Sequence, residues 1–274
     1  MNTANRFEPL HDAHAIELVQ FSFQFLKPLS DGAMSRLIES MNQFEQELPV
    51  RQDLRNVSVS IGMNGPSSIG QIQGSIDGAL RQSIARNGAV EKELRVERTG
   101  IGFRDSSYTR WDNVWRGCQS FIQPLLLAIA GDEAIINVVQ LQYVDKFIWH
   151  GEKNKCRAAE ALRVGSKYLV PAIFESEDFW HSHTGHFVRI NERVKRLVQI
   201  NVDHLEENTA KGACPVIRAA TVVIDLLNQP GYQSDLVGFR EHLEEKMQEM
   251  HNLLKAIFSE LVSESMARRV GMSQ

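Results

Sequence analysis

The chain has 274 residues, 43% of them hydrophobic and 23% charged, with a formal net charge of -4 at pH 7. That is enough chain for one large core or two smaller ones, and so mild an acidity gives no broad electrostatic reason to expect nucleic acid or an anionic membrane surface. Cys118, Cys156 and Cys214 are odd in number and far apart, which argues against a disulfide framework and fits a reducing compartment. The first residues have no basic segment followed by a long apolar run, and the longest apolar run, Pro124 to Ala130, is too short to span a bilayer. A cytoplasmic protein without membrane contact is expected.

From Ala15 to Leu26, Val19, Phe21, Phe23 and Phe25 alternate with Gln20, Ser22 and Gln24, the pattern of a strand with one apolar and one wet face. Pro28 ends it, and Ser30 with Asp31 caps a helix over about Gly32 to Glu47, whose Met34, Leu37, Ile38, Met41, Phe44 and Leu48 recur at three and four. Val57, Val59 and Ile61 alternate as a short strand before the turn-forming NGPSSIG, with a returning strand over Ile69 to Ser75. Gly74 to Gly88 reads as a weak helix or an irregular excursion. Leu94 and Val96 pair with Ile101 and Phe103 through a Thr99-Gly100 turn.

An amphipathic helix follows from about Thr109 to Ala130, opened by Tyr108, Trp111 and Trp115, with Pro124 predicting a kink or break inside it. The two tryptophans, one turn apart, suit a clamp between helix and sheet. A long strand carries Val138 to Trp149, and the polar stretch after it reads as an exposed connection. Val164 to Phe174 contains Pro171, which argues against a central strand. The stretch ESEDFWHSHTGH reads as a loop or short helical turn, Phe187–Ile190 and Val194–Asp203 as a hairpin, and HLEENTAKGACP as a hairpin loop. Ala220 to Leu226 returns as a β-branched strand, and Asn228-Gln229-Pro230-Gly231 makes a turn.

The last predicted element is a helix over about Leu236 to Ala267, in which Leu243, Met247, Met250, Leu254, Ile257 and Leu261 repeat at four and three. Two readings fit this stripe: a helix laid across the chain's own sheet, or a pairing seam offering Leu243, Met247, Met250 and Leu254 to a partner. The order of elements lacks parallel βαβ spacing and a glycine-rich phosphate loop. It implies an α+β fold, a largely antiparallel sheet with helices on one side. One domain over 1–274 is expected, with halves 1–150 and 151–274 of loosely similar order.

The strand before a proline, the Tyr108-x-x-Trp111 helix start and the following VVQLQYVDKFIW resemble a sporadically distributed bacterial family of uncharacterised proteins. In that family a tyrosine and a tryptophan open a helix leading to a strand that ends like Leu-Arg-Tyr-Ile-Asn-Arg. The positions here are Leu141, Gln142, Tyr143, Val144, Asp145 and Lys146, so Gln142 and Asp145 stand where the family has arginine and asparagine. A second echo is His251 followed by Phe258 and the polar stretch Ser263 to Arg269. The resemblance implies a fold more than an activity, and an accessory role in a bacterial or phage conflict system.

Candidate sites are few. His181, His183 and His186 in HSHTGH are the densest group of metal-ligand types, which Asp178, Glu177 or the distant Cys214 could complete; the plain alternative is an exposed loop. Asp145, Asp203 and Asp225 lie in predicted strands, where converging carboxylates could hold a metal ion or serve acid–base chemistry, against the plain reading of a solvated sheet face. Arg189, Arg193, Lys195 and Arg196 form a basic hairpin that could touch a phosphate backbone. No serine elbow is present, and Cys118 suits a small core residue better than a nucleophile. With no catalytic signature and no cofactor motif, the sequence favours a non-enzymatic binding or assembly protein with a protein partner or self-association. A metal-assisted hydrolase or nuclease and a nucleic-acid-binding hairpin are the alternatives.

Overall fold

The computed structural model describes residues 5–57, 74–130, 134–209, 212–227 and 236–272. The described residues form one sheet, most of its strands patterned at period two: β1 (Arg6–Pro9), β2 (Ile16–Phe25), β3 (Val50–Val57), β4 (Gly74–Ile84), β5 (Val90–Glu97), β6 (Gly100–Asp105), β7 (Ile136–His150), β8 (Trp180–Arg189), β9 (Val194–Thr209) and β10 (Gly212–Leu227). The spatial order is β3-β4-β5-β6-β2-β7-β10-β9-β8, and β1 pairs with β7 beside β2. Each of these pairings is antiparallel. The fold is α+β, as its sequence implied, and no helix among the described residues is long and apolar enough to cross a membrane.

Among the described residues four α-helices accompany the sheet: α1 (Asp31–Ser40), α2 (Trp111–Ala128), α3 (Leu236–Leu261) and α4 (Glu264–Arg269). Phe21, Phe23, Val139, Leu141 and Tyr143 are buried, whereas Gln20, Ser22, Gln140 and Gln142 in the alternate positions are half-exposed. Trp111 and Trp115 of α2 lie on Phe21, and Phe258 of α3 lies on Phe147, so both helices cover the apolar face. Ser30 caps α1 by accepting from the Ala33 N–H, and Phe44 beyond it meets Phe121 of α2 edge to face.

Several boundaries differ from the sequence expectation. Residues 74–84 form β4, because Arg81, Ala79 and Gly78 find ladder partners on both β3 and β5. Gly78 has no room for a side chain, since a Cβ there would come within 2.5 Å of the Val96 carbonyl oxygen. The stretch expected as a loop around HSHTGH is β8, and the expected 204–215 loop is mostly the far ends of β9 and β10, paired from Gly212↔Thr209 onward. Pro124 leaves α2 unbroken; the carbonyl it deprives of a donor belongs to Ser120, which is exposed to water. The C-terminal helix is divided. Arg163 N–H donates to the Leu261 carbonyl and Ser263 N–H to the Ala161 carbonyl, so the 161–163 segment interrupts the chain before Ser263 caps α4. The expected residues Val59 and Ile61, the 64–70 turn and the 228–231 turn lie outside the described residues.

Candidate functional site

The site begins as an interruption beside β7. β1 reaches Pro9 opposite Phe147, and β2 starts at Ile16 opposite Asp145. Between them the chain leaves the sheet: Leu10 N–H donates to the Lys146 carbonyl at 3.0 Å, and Lys146 N–H donates to the Ala15 carbonyl at 2.8 Å. Residues 10–15 thus form a loop whose two ends meet at one residue of β7. The register of β2 against β7 shifts between Ile16 and Leu18, a bulge that re-aims the strand at this point. Glu17 in that bulge turns to the other face, where it accepts from Lys146 Nζ at 3.3 Å and Arg218 Nη2 at 3.0 Å.

On the helix side of this interruption is a cavity of about 310 Å³, at the lower end of the size range of small-molecule sites. The loop contributes His14 and Ala15, the approach to α2 contributes Tyr108 and Trp111, and β10 contributes Thr221. β7 contributes Tyr143 and Asp145, and α3 contributes His251, Leu254 and Lys255. Ala13, Thr109, Lys255 and Gly271 are its exposed lining residues and mark its open side.

Strand phase explains the unusual member. Val139, Leu141, Tyr143, Phe147 and Trp149 are the buried positions of β7, and Asp145 falls in phase with them at 3% exposure. Burial pushes its carboxyl up to about 8, so the acid is mostly protonated at neutral pH. Among the described residues no hydrogen bond and no ion pair holds that carboxyl. Burial, with the Asp145 charge adding to it, raises Tyr108 to about 12. Tyr143 is raised chiefly by burial as well.

The aromatic wall is continuous. Tyr108 meets Tyr143 edge to face with centroids 6.0 Å apart, and His14 meets Tyr108 in the same manner at 5.2 Å. His251 stacks on Trp111 at 4.4 Å with rings 2° from parallel, while its Nδ1 lies 2.8 Å from the Tyr143 hydroxyl. Burial, and then Lys255, lower His251 to about 4, so the imidazole is neutral at pH 7 and accepts from Tyr143 or donates to it according to its tautomer. The Thr221 hydroxyl is buried without a hydrogen-bond partner. A pocket lined by one unpaired acid, an unpartnered hydroxyl and aromatic rings is suited to orienting a small ligand.

Of the residues singled out from sequence, Asp145 and Leu254 line this cavity and the others fall elsewhere. His181, His183 and His186 lie on β8, where His183 Nε2 is 3.0 Å from Asp203 Oδ1 and His181 packs beside His183. Among the described residues no three His, Cys, Asp or Glu side chains are grouped to hold a metal ion. Asp203 is on the wetter face of β9 and sits opposite Arg218 in the ladder. Asp225 is not on a solvated face. It is fully buried and seven positions along β10 from Arg218 (225 − 218), roughly 23 Å away at strand rise, so it does not converge with Asp203 or the histidines.

Asp225 instead receives Arg196 Nε, Arg196 Nη2 and Lys246 Nζ. That takes the Arg196 side chain out of the basic hairpin surface. Lys195 Nζ, meanwhile, sits over the Phe187 ring at 4.2 Å, with Phe187 itself exposed on β8. Leu243, Met247, Met250 and Leu254 are at most 5% exposed, buried against this chain's own sheet and not offered as a seam. Cys118 is fully buried in the core, and burial raises its thiol far above the ordinary range. A pairing absent from the sequence reading, Cys156 Sγ to His204 Nε2 at 3.6 Å, holds a thiol that burial pushes up to about 11, the reverse of a reactive cysteine.

No protein-family model and no curated protein matches this chain.

Proposed function

We propose that this is a non-enzymatic binding protein and that the cavity beside Asp145 is where it binds a small molecule. The observation that carries this reading is the Asp145 carboxyl: it stands at a core position of β7, faces the cavity and has no partner among the described residues. Leaving a polar group unpaired in a core costs about 1–3 kcal/mol. A chain that places one at the end of an aromatic-walled cavity has a use for it that packing alone does not supply. The three cysteines are free thiols, which supports the cytoplasm as the place of action.

The test is a fragment screen by ligand-observed NMR on the full chain, repeated on Ala13→Trp. Ala13 is an exposed lining residue, so the larger side chain obstructs the opening while a surface change of this kind leaves stability within about 0.5 kcal/mol. Fragments that bind the wild type and are displaced from the variant support the reading. A screen without a cavity ligand, or ligands indifferent to Ala13→Trp, would refute it.

A further inference from the structure

Every titratable group around Asp145 leaves its charge unanswered. Tyr143 shares its strand, Tyr108 comes from the approach to α2, His14 from the 10–15 loop, and His251 and Lys255 from α3. The tyrosines stay protonated and the two imidazoles stay neutral at pH 7, because burial opposes the charged form of each. Asp112, on the first turn of α2, is exposed, and Lys255 is an exposed residue of the opening that makes no ion pair with Asp145. The buried end of the cavity therefore offers an acid and acceptor oxygens, and no buried cation.

We propose that the cavity receives a small organic ammonium ion, its N–H groups on the Asp145 carboxylate and the Thr221 hydroxyl and its carbon skeleton against the rings of Tyr108 and Tyr143. This rests on the cavity being a ligand site. Three features select the cation. A buried carboxylate with no partner gains most from an incoming opposite charge that also donates hydrogen bonds to it. Tyr108 and Tyr143 line the cavity, and aromatic rings attract a desolvated cation. The Thr221 oxygen, 1% exposed and without a partner, accepts an N–H that the chain itself does not provide. A carboxylate ligand would instead find no cation at the cavity's buried end to pair with its charge.

The step has a proton balance. Binding converts Asp145 from acid to carboxylate and sends its proton to the buffer. With the free carboxyl at about 8, the complex releases about 0.9 proton per ligand at pH 7.

The experiment is isothermal titration calorimetry of benzylamine and of its neutral near-isostere benzyl alcohol, on full-length wild type and Asp145→Asn, in buffers of different ionisation enthalpy. Benzylamine stays cationic throughout, so its affinity is expected to rise about 50-fold between pH 6 and pH 8 as Asp145 loses its proton. In Asp145→Asn that pH dependence disappears and benzylamine weakens at least tenfold, while benzyl alcohol changes less than twofold. Equal binding of the two compounds, or benzylamine binding without proton release, overturns the ammonium assignment and leaves the cavity a binding site. Failure of both compounds while the fragment screen still finds cavity ligands does the same. A fragment screen that finds no cavity ligand removes the underlying reading as well.

Discussion

Arg196 on β9 and Asp225 on β10 face each other in register and close two parallel hydrogen bonds, Nε to Oδ1 at 2.6 Å and Nη2 to Oδ2 at 2.9 Å. Arg196 Nη1 also reaches Glu249 on α3, and Lys246 from the same helix donates to Asp225 Oδ2 at 2.7 Å. Burial would raise the Asp225 carboxyl; the bonds from Arg196 and Lys246 outweigh it and hold the group below its ordinary value. Two of the buried aspartates, Asp225 and Asp145, thus have opposite fates, the first charged and enclosed by cations, the second at the cavity with none.

Arg196→Met is expected to cost roughly 3 kcal/mol in urea unfolding at pH 7, because it leaves a buried carboxylate with one partner fewer. The double change Arg196→Met with Asp225→Leu is expected to recover much of that loss. The pH sign follows from the lowered Asp225: its contribution is full above the unfolded value near 4 and is lost as pH falls through the folded one. A single Arg196→Met as stable as wild type would remove the network from the account of how α3 is fixed to the sheet.

Asp145 has the reverse sign. Its folded carboxyl lies at about 8, above the unfolded value, so the folded state holds a proton that the unfolded chain has released. Stability contributed by this group is present below the unfolded value and is lost as pH rises toward 8, by an upper bound of roughly 5 kcal/mol between pH 4.5 and pH 8.5. Asp145→Asn is expected to raise the melting temperature at pH 8.5 and to have little effect at pH 4.5. An equal shift at both pH values would show that the carboxyl does not titrate in this window.

Much of the sheet was legible because its strands obey period two. Phe21 and Phe23, Leu94 and Val96, Ile101 and Phe103 each fall on the buried face that alternation assigns them. β4 and β8 were not, for a physical reason. β4 carries glycine and charged residues whose pairing is set by both neighbours, and β8 is an edge strand with most of its side chains in water, so neither shows an apolar stripe. Long-range ladder partners decide such segments, and a local window does not contain them.

The cavity was half legible. Asp145 is in phase with Leu141, Tyr143 and Phe147, and following that phase through the strand exposes it as an acid in a core row. Asp225 is in phase with Val223 and Ala219 by the same rule. What no window reveals is which of these two acids meets cations, since Arg196 and Lys246 arrive from β9 and α3. His251 carried a helix-face position but no sign that it would stack on a tryptophan 140 positions earlier (251 − 111).

His251 supplies an acid-side prediction. Burial and Lys255 lower it to about 4, so the unfolded chain takes up a proton between pH 6.5 and 4 that the folded chain does not. Stability from the neutral imidazole is complete above 6.5 and falls as pH drops, by roughly 3 kcal/mol at most. His251→Phe keeps a ring against Trp111 and is expected to flatten this part of the pH–stability curve, at the cost of the Tyr143 hydrogen bond at pH 7. Chemical denaturation at half-unit pH intervals measures it, and an unchanged slope in the variant would place the acid sensitivity elsewhere.

Trp111 joins these pieces, and its removal tests the junction. Its ring is sandwiched between Trp115, 6.0 Å away and 4° from parallel, and His251 at 4.4 Å, while its Nε1 donates to Gln248 Oε1 at 2.7 Å. Trp111→Ala deletes a buried ring from between α2, α3 and β2 and is expected to cost roughly 3–5 kcal/mol. Gln248→Ala, which removes only the acceptor, is expected to cost about 1 kcal/mol. Urea unfolding of the two variants separates ring packing from the hydrogen bond. A Trp111→Ala protein as stable as wild type that lost only ligand binding would mean that the tryptophan serves the cavity and does not clamp helix to sheet.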